Sequence, residues 1–401
     1  MSITIQQAPS TLMPAYNDIN WILSSTNYTQ PNFKYVVDIY VASVKVDRML
    51  VPPHPTHGTG LANIAPLIES RVSKVISMAD NSIEYCSEMY LEYVVKFGEA
   101  YGSTGTTVYA DLATATGKCI WNGVYDFEDY INYASGDIVA NVTTPVRFLT
   151  NKPSSGDIMI DDNAWLYWCD YNLQTSYVEV KTYNSAGTLL GTWNIDNKFT
   201  TYKFLRIPSG ANNLNDILNT QFTLGTQPVI TGSEAYYTVQ AFKGALFPLT
   251  EAYRYNIVTN CSRYTKYRFQ FLNKKGGYDF FDFSLVSKRT ADIERSNYKK
   301  NLGSYASANS FTYSANNRAN SQFYTRVKDK FTVQSDWVRE DVMEWLEELI
   351  TSPDVYYDDG TSLIPVNISN PSFERKLEVN EKLFNLQLDY TLSYDRYRQR
   401  L

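Results

Sequence analysis

Alternating apolar and polar residues predict β-strands in the first part of the chain. In residues 34–53, apolar side chains recur at every second position on two arms separated by Ala42 and Ser43, with Arg48 as the exception on the second arm. This is the pattern of a half-buried β-hairpin. Pro52 and Pro53 end the second arm because proline cannot donate to a strand ladder. Apolar residues at helical spacing then predict a helix over residues 61–77.

A series of short strands follows in the centre of the chain. From residue 165 onward, strand-like runs and turn signals recur about every 8–12 residues, which indicates an antiparallel β-sandwich. The stretch "RFQFLNKKGGYDFFDFSL", residues 268–285, belongs to this series. It fits either a hairpin whose rings fill a core or an aromatic platform that binds a ligand. The alternation of its rings favours the core, because a half-buried strand requires it.

Two features of this hairpin lead to specific predictions. Phe269 and Phe271 share one face of its first arm, and Phe281 and Phe283 share one face of its second arm. We therefore predict that these four rings are core residues. Tyr278 is out of phase with Phe281 and Phe283, as is Phe280, so the second arm is expected to contain a β-bulge.

The segment from residue 299 to residue 323 has a different composition. It is rich in Ser, Asn, Ala and Gly and carries isolated aromatic residues. Such a segment buries little apolar surface by itself, so we expect a long loop or arm that is ordered by contact with another subunit. Its aromatic residues are predicted to be separate interface anchors: Tyr305, Phe311, Tyr313, Phe323 and Tyr324.

The C-terminal part combines one helix with strands. An apolar stripe predicts an amphipathic helix over residues 336–351, capped by Ser335 or Asp336 and stopped before Pro353. An Asp-Gly pair at 359–360 predicts a hairpin turn. Alternation over residues 384–394 predicts one long strand with a buried face.

These patterns predict a mainly β protein with a few short helices. The expected fold is a set of tandem antiparallel, Ig-like β-sandwich domains plus the amphipathic helix. The predicted domains are an N-terminal β-rich domain with the helix 61–77 (1–145), a central β-sandwich (146–300), an extended Ser/Asn/Tyr-rich arm (301–330), and a C-terminal helix with strands that packs on the central sandwich (331–401).

Composition and charge limit the classes of function that are expected for this chain. The 401 residues include 33 Tyr and are 15% aromatic. Tyr and Phe favour strands and protein interfaces, although a carbohydrate-binding surface would show the same excess. The net charge of −6 argues against a broad nucleic-acid interface. Short basic runs at 288–300 and 396–400 are expected to be solvated faces or subunit contacts, so no specific nucleic acid is expected as a partner.

Candidate chemistry is sparse. The two histidines, His54 and His57, lie in the Pro- and Gly-rich stretch "VPPHPTHGTG", which indicates an exposed or interface loop rather than a metal site. The four cysteines contain no C-x-x-C pair and are expected to be buried free thiols. No P-loop, nucleophile elbow or dinucleotide fingerprint occurs. We therefore expect no enzyme activity, no catalytic residues, no cofactor and no metal.

Targeting signals are not evident either. The N-terminal residues lack a basic region followed by an apolar one, so no signal peptide is expected. No run of 18 apolar residues occurs, so no membrane span is expected.

Four segments of the chain carry a family resemblance: "QPNFKYVVDIYV", "VPPHPTHGTGLANIAPLIES", "YRFQFLNKKGGYDFFDF" and "SDWVREDVMEWLEELITSPDVYY". They resemble segments of virion structural proteins of tailed bacteriophages. The sequence is most similar to tail proteins of crAss-like phages and other phages of Bacteroidetes, over most of the chain. The shared motifs are structural, so they imply no functional residue.

This resemblance implies a β-rich subunit of a tail or neck ring. The expected partners are further copies of the chain in a ring, with twelve-fold symmetry as one option, and other tail, neck or portal proteins. The expected location is the virion tail, assembled in the host cytoplasm. His54 and His57 join the five aromatic residues as candidate interface residues. The alternative hypothesis is a receptor-binding tail module that grips host polysaccharide.

Overall fold

A computed structural model describes residues 3–76, 81–104, 106–258, 264–370 and 383–397. The chain forms two compact units. The N-terminal unit comprises residues 1–260 and 273–279, and the C-terminal unit comprises residues 261–272 and 280–401. Both are built mainly from antiparallel sheets with a few short helices, which confirms the predicted fold class.

The strands of the N-terminal unit are β1 (Ile3–Gln7), β2 (Leu12–Pro14), β3 (Asn20–Ser25), β4 (Lys34–Val41), β5 (Val44–Val51), β6 (Gly60–Asn63), β7 (Glu84–Tyr85), β8 (Tyr90–Tyr101), β9 (Thr107–Trp121), β10 (Ser155–Ile158), β11 (Trp165–Cys169), β12 (Tyr177–Tyr183), β13 (Leu189–Asp196), β14 (Phe204–Pro208), β15 (Phe222–Leu224), β16 (Tyr236–Lys243), β17 (Phe247–Pro248) and β18 (Tyr253–Ile257). Its helices are α1 (Ala65–Ile68), α2 (Phe127–Tyr130) and the 3-10 turns Glu69–Arg71, Ser87–Met89, Ser135–Asp137, Asn213–Asp216 and Asn219–Gln221.

Two sheets enclose the first core of this unit. Their strand orders are β2-β9-β8-β4-β5 and β1-β3-β6. Trp21 of β3 and Phe97 of β8 are fully buried with ring centroids 5.1 Å apart. The apolar faces of the two sheets thus pack on each other as the layers of a sandwich.

The second half of the unit contains two further sheets. Their orders are β10-β18-β16-β12-β13-β15, with β17 on β16, and β11-β14-β7. On β12, Val178 and Val180 are buried while the residues that alternate with them, Tyr177, Glu179 and Lys181, are half-exposed. One face of this sheet therefore points to a core and the other to solvent.

The predicted N-terminal hairpin is confirmed, and the predicted helix after it is wrong in length. Strands β4 and β5 pair around Ala42 and Ser43, which both have positive φ. Within the expected helix 61–77, residues 61–63 instead belong to strand β6, and helix α1 spans only Ala65–Ile68. These residues pair with β3 instead of forming a helical turn. A strand ladder satisfies the hydrogen bonds of their backbone groups as well as a helix does. Residue 77 lies outside the described residues.

The C-terminal unit contains α3 (Glu340–Thr351) and the strands β19 (Tyr267–Leu272), β20 (Tyr278–Phe283), β21 (Lys288–Lys299), β22 (Ser304–Ser307), β23 (Ser310–Thr312), β24 (Asn320–Gln334), β25 (Val338–Arg339), β26 (Val355–Asp358), β27 (Leu363–Ile368), β28 (Leu383–Phe384), β29 (Gln387–Leu392) and β30 (Arg396–Tyr397). The main sheet has the order β20-β19-β26-β27-β29-β24-β21, with β30 also on β24. The first two residues of β20 fall in the segment 273–279 that groups with the N-terminal unit.

The aromatic hairpin of residues 268–285 forms part of this core. Phe269, Phe271 and Phe283 are fully buried, and the partly buried Phe281 packs against Trp345 of α3 with centroids 6.1 Å apart. The core interpretation is therefore confirmed. Phe280 is also buried, with the Arg268 guanidinium 4.6 Å from its ring centre. Both faces of β20 are covered, so the aromatic residues need not keep a single phase.

Two C-terminal element boundaries differ from the prediction. Helix α3 begins at Glu340 rather than near 336, because Ser335 exchanges hydrogen bonds with Leu386 and Val338–Arg339 pairs with β28. The long strand expected over 384–394 is divided into β28 and β29. The same link to Ser335 causes the interruption, since it takes Leu386 out of the ladder.

The units follow different boundaries from the predicted domains. The predicted boundaries were 145/146, 300/301 and 330/331, whereas the units divide near residues 260 and 280. Residues 288–299, which the predicted bounds include in the central sandwich, form strand β21 and pair with β24 in the C-terminal unit. Long-range strand pairing of this kind leaves no local signal in the sequence.

Candidate subunit interface

A long two-stranded ribbon extends the sheet of the C-terminal unit. It comprises residues 288–334, from the start of β21 to the end of β24, and we call it the arm. Its two strands of 12 and 15 residues pair from Lys288 with Thr332 to Lys299 with Asn320. Nearly every residue of β21 is exposed.

The far end of the arm has few neighbours. Strand β24 pairs with β29 at residues 330–334 and with β30 at residues 326–327. Among the described residues, its part before residue 326 pairs with β21 alone. We call residues 297–325 the tip, and the rest of the arm, residues 288–296 and 326–334, the stem. It contains all of the Ser- and Asn-rich segment 299–323, and residues 301–325 of the extended arm that was predicted over 301–330.

Opposite charges across the stem set the register of the ribbon. Asp292 lies directly opposite Lys328, and Glu294 lies opposite Arg326. The Tyr324 hydroxyl donates to Glu294 Oε1 over 3.1 Å, and this hydrogen bond raises the pKa of Tyr324. Directly opposed charges favour one register, since a slip by one residue would separate these pairs and turn every side chain to the other face.

A buried carboxylate joins the stem to strand β30. The Asp329 side chain is only 2% exposed. It accepts hydrogen bonds from Arg396, 2.7 Å from Nε and 2.9 Å from Nη2, and from Arg289 at 3.2 Å. Two guanidinium groups compensate the cost of burying this charge. The described part of the basic run at 396–400 therefore serves an internal ion pair; residues 398–400 lie outside the described residues.

Three of the predicted anchors form one cluster at the tip. Phe311 has its ring 5.2 Å from that of Tyr305 and 5.4 Å from that of Tyr313, both edge-on. Tyr305 is 79% exposed and Tyr313 is 72% exposed. The expectation of separate anchors is wrong for these three, because the hairpin of β22 and β23 brings them together.

The other two anchors lie at an irregularity of the ribbon. The register of β21 and β24 shifts between Ser296 and Asn297, which face Tyr324 and Gln322, so Phe323 has no direct partner. Phe323 is 54% exposed. A bulge leaves the extra residue free to point away from the ladder, and here that residue is aromatic.

Gly303 supports the tip cluster. Its φ is +104°, and a Cβ at this position would lie 2.4 Å from the Phe311 ring. We expect Gly303→Val to disorder the tip and to leave the unfolding temperature of the C-terminal unit unchanged. Hydrogen exchange of peptides covering 302–313 should rise strongly in the variant. Ala306→Val, on the exposed strand β22, is the control and should leave exchange unchanged. Equal protection in both variants would contradict this role.

His54 and His57 lie elsewhere, in the loop between β5 and β6 of the N-terminal unit. Their rings stack with centroids 4.8 Å apart, and both are exposed. His54 Nδ1 accepts from the backbone amides of Thr56 and His57 at 3.2 and 3.3 Å. These contacts use the Nδ1 lone pair to hold the loop. In the described ranges, no three His, Cys, Asp or Glu side chains group as a metal site.

Three of the four cysteines lie among the described residues. Cys86, Cys119 and Cys169 are buried and unpaired by disulfides, as predicted. Burial raises the pKa of Cys86 and of Cys119 to about 12, so both remain neutral thiols near pH 7 and lack the thiolate that a nucleophile needs. Cys261 lies outside the described residues.

Comparisons with known proteins give no family for this chain. No protein-family model matches the chain, and no curated protein matches it. Two solved structures of the plexin A4 extracellular region align over 97% and 96% of the chain, at 7% and 8% identity. Their TM-scores are 0.19 and 0.16, and the chain spans 39% and 34% of their length, so this likeness supports no functional argument. No described helix is long and apolar enough to cross a membrane.

Proposed function

We propose that this chain is a structural subunit of a bacteriophage virion, one copy in a symmetric ring of the tail or neck. The observation that carries the proposal is the arm, a long exposed ribbon that ends in solvent-facing aromatic rings. The resemblance to tail proteins is the reason for proposing a virion as the assembly. In this proposal the ring lies in the virion tail, is assembled in the host cytoplasm, and links neighbouring tail, neck or portal proteins.

In an isolated copy, the tip gains little free energy from being ordered. An isolated two-stranded ribbon is marginally stable in water, and fixing each residue costs about 1–2 kcal/mol of backbone entropy. Exposed rings such as Tyr305, Tyr313 and Phe323 recover that cost when a partner buries them, because aromatic residues contribute strongly at interfaces. A protruding element that binds a different surface on the next copy closes a ring when the rotation allows it.

The direct test is the assembly state of the purified protein. We expect negative-stain images to show closed particles with one rotational symmetry, and mass photometry to show one multiple of the subunit mass. A monomer at every concentration would contradict the proposal.

The polysaccharide-binding alternative draws on the same exposed tyrosines at the tip, since aromatic rings also suit sugar faces. A glycan array separates the two functions. A ring subunit should show no saturable binding. Saturable binding that is lost when Tyr305 and Tyr313 are both replaced by Ser would favour the receptor-binding module instead.

A further inference from the structure

The charge of the arm is opposite to that of the rest of the chain. Residues 288–334 hold nine Lys or Arg and three Asp or Glu, a net charge of +6, whereas all other residues hold 27 and 39, a net charge of −12. All three acids of the arm lie in its stem: none occurs between Glu294 and Asp329. The tip is therefore basic as well as aromatic.

The basic groups of the tip have no acidic partners among the described residues. No carboxylate of the described chain lies within ion-pair distance of Lys299, Lys300 or Arg318 of the tip, or of Arg295 just before the tip, and all four are exposed. By contrast, Lys330 of the stem is paired with Asp292, with Nζ and Oδ2 2.6 Å apart. The unmatched positive charge is thus concentrated beside the exposed rings.

The N-terminal unit presents a surface with the complementary chemistry. Residues 119–146 contain four acids and no Lys or Arg. Within them, Phe127 is 77% exposed and Ile131 is 64% exposed. The two apolar side chains lie one helical turn apart, since the Ile131 amide donates to the Phe127 carbonyl at 3.1 Å. Glu128 and Asp129 of helix α2 are exposed beside them.

This surface is attached to a neighbouring strand, and most of its negative charge is not neutralised by ion pairs. Tyr133 donates to the Leu12 carbonyl over 2.7 Å and so ties the segment to strand β2. Asp126 is neutralised by Lys274, with Nζ and Oδ2 2.6 Å apart. In the described parts of the chain, no Lys or Arg forms an ion pair with Glu128 or Asp129. We call Phe127, Glu128, Asp129 and Ile131 the acceptor patch.

We infer that the tip of one copy docks on the acceptor patch of a second copy. The inference rests on the proposed ring and deepens it by naming both sides of the contact. In this contact, the basic residues and exposed rings of the tip face the acidic residues and exposed apolar side chains of the acceptor patch. The two surfaces are therefore complementary both in charge and in apolar area. Opposite potentials speed encounter and fix orientation. A tip-to-patch contact also joins two different surfaces, as a ring requires.

Nucleic acid is the competing partner for a basic, aromatic ribbon. The observations favour a second copy, because the rest of each copy carries −12 against the +6 of the arm, and the acceptor patch matches the rings as well as the charges. Binding of DNA by the tip is therefore one outcome of the charge-swap test.

The experiment is a charge swap read by assembly state. The tip variant is Lys299→Glu with Lys300→Glu, the patch variant is Glu128→Lys with Asp129→Lys, and a third protein combines all four changes. We expect each pair alone to raise the concentration of half-assembly by about tenfold or more near physiological salt. The combined protein should return to within about threefold of the wild type, because the opposite charges face each other again.

Two controls keep the result specific. Lys34→Glu with Lys243→Glu changes the same number of charges at exposed sites of the N-terminal unit and should leave assembly unchanged. Raising salt from about 0.1 M to about 1 M should weaken wild-type assembly, since the screening length falls from about 10 Å to about 3 Å. Thermal melting of every variant checks that each is folded.

Each outcome supports or overturns a specific statement. A wild-type protein that stays monomeric overturns the ring itself. A ring that forms equally well in the tip variant overturns this inference and leaves the proposed function standing. Loss in the tip variant without recovery in the combined protein overturns the acceptor patch. A tip variant that assembles normally but no longer binds a short DNA duplex held by the wild type assigns the tip to nucleic acid.

Discussion

Replacing Phe269 with Ala is expected to lower the free energy of unfolding of the C-terminal unit by about 3–5 kcal/mol. The ring is fully buried. It meets Phe283 and Tyr390 edge-on with centroid distances of 5.5 and 5.0 Å, and Tyr357 at 5.9 Å. Partners on three other strands cannot all move inward, so truncation leaves a cavity whose surface loses its contacts.

The measurement is chemical denaturation combined with hydrogen exchange of peptides from β19 and β26, which report on this unit. Phe323→Ala is the matched control, because the same ring is removed from an exposed position, and it should change stability by less than about 0.5 kcal/mol. If Phe269→Ala kept its stability but abolished partner binding, the aromatic-platform interpretation of this hairpin would replace the core interpretation.

Removing the outer part of the tip is expected to abolish assembly while leaving both units folded. In the proposed variant, Asn-Gly replaces residues 301–318. The chain can close there because the Lys300 amide already donates to the Ala319 carbonyl at 2.8 Å, and Asn-Gly favours a two-residue hairpin turn. The deletion removes the Tyr305, Phe311 and Tyr313 cluster. Each buried aromatic anchor at an interface can contribute about 2 kcal/mol or more.

Thermal melting and mass photometry of this variant separate folding from assembly. A second variant with a Gly/Ser linker of the original length in place of 301–318 tests whether reach or side chains matter; it should fail to assemble as well. An unchanged ring would show that the outer tip is not the docking element. An unfolded monomer would show that the tip stabilises its own unit instead.

The exposure of the arm could be predicted from its residues, but its strand structure could not. The composition of residues 299–323 indicates a segment that cannot bury much surface, and the structure places it at the exposed end of a ribbon. The strand character of the ribbon was missed, since many of its side chains are polar and period-two alternation is weak where both faces meet solvent. The absence of acids from residue 295 to residue 328 was the available signal for its charge.

The sequence by itself determined the features that depend on neighbours along the chain. The hairpin of β4 and β5, the core rings at Phe269 and Phe271, and the Asp-Gly turn between β26 and β27 all follow from alternation and turn chemistry. These signals are local, because side-chain period and turn preference are properties of a few consecutive residues. Assignment to a phage ring stays a prediction, based on resemblance and on the arm.

Only the tertiary structure decided which strands are neighbours. The side chains of a strand alternate in the same way whichever strand it pairs with. The residues of β24 therefore do not predict that it pairs with β21 on one side and with β29 and β30 on the other. The late start of α3 and the gap between β28 and β29 arise from the contact of Ser335 with Leu386, 51 positions apart in the sequence. Contacts over such distances depend on the whole fold. The pairing of β21 with β24 likewise places the locally formed cluster of Tyr305, Phe311 and Tyr313 at one exposed end of the arm.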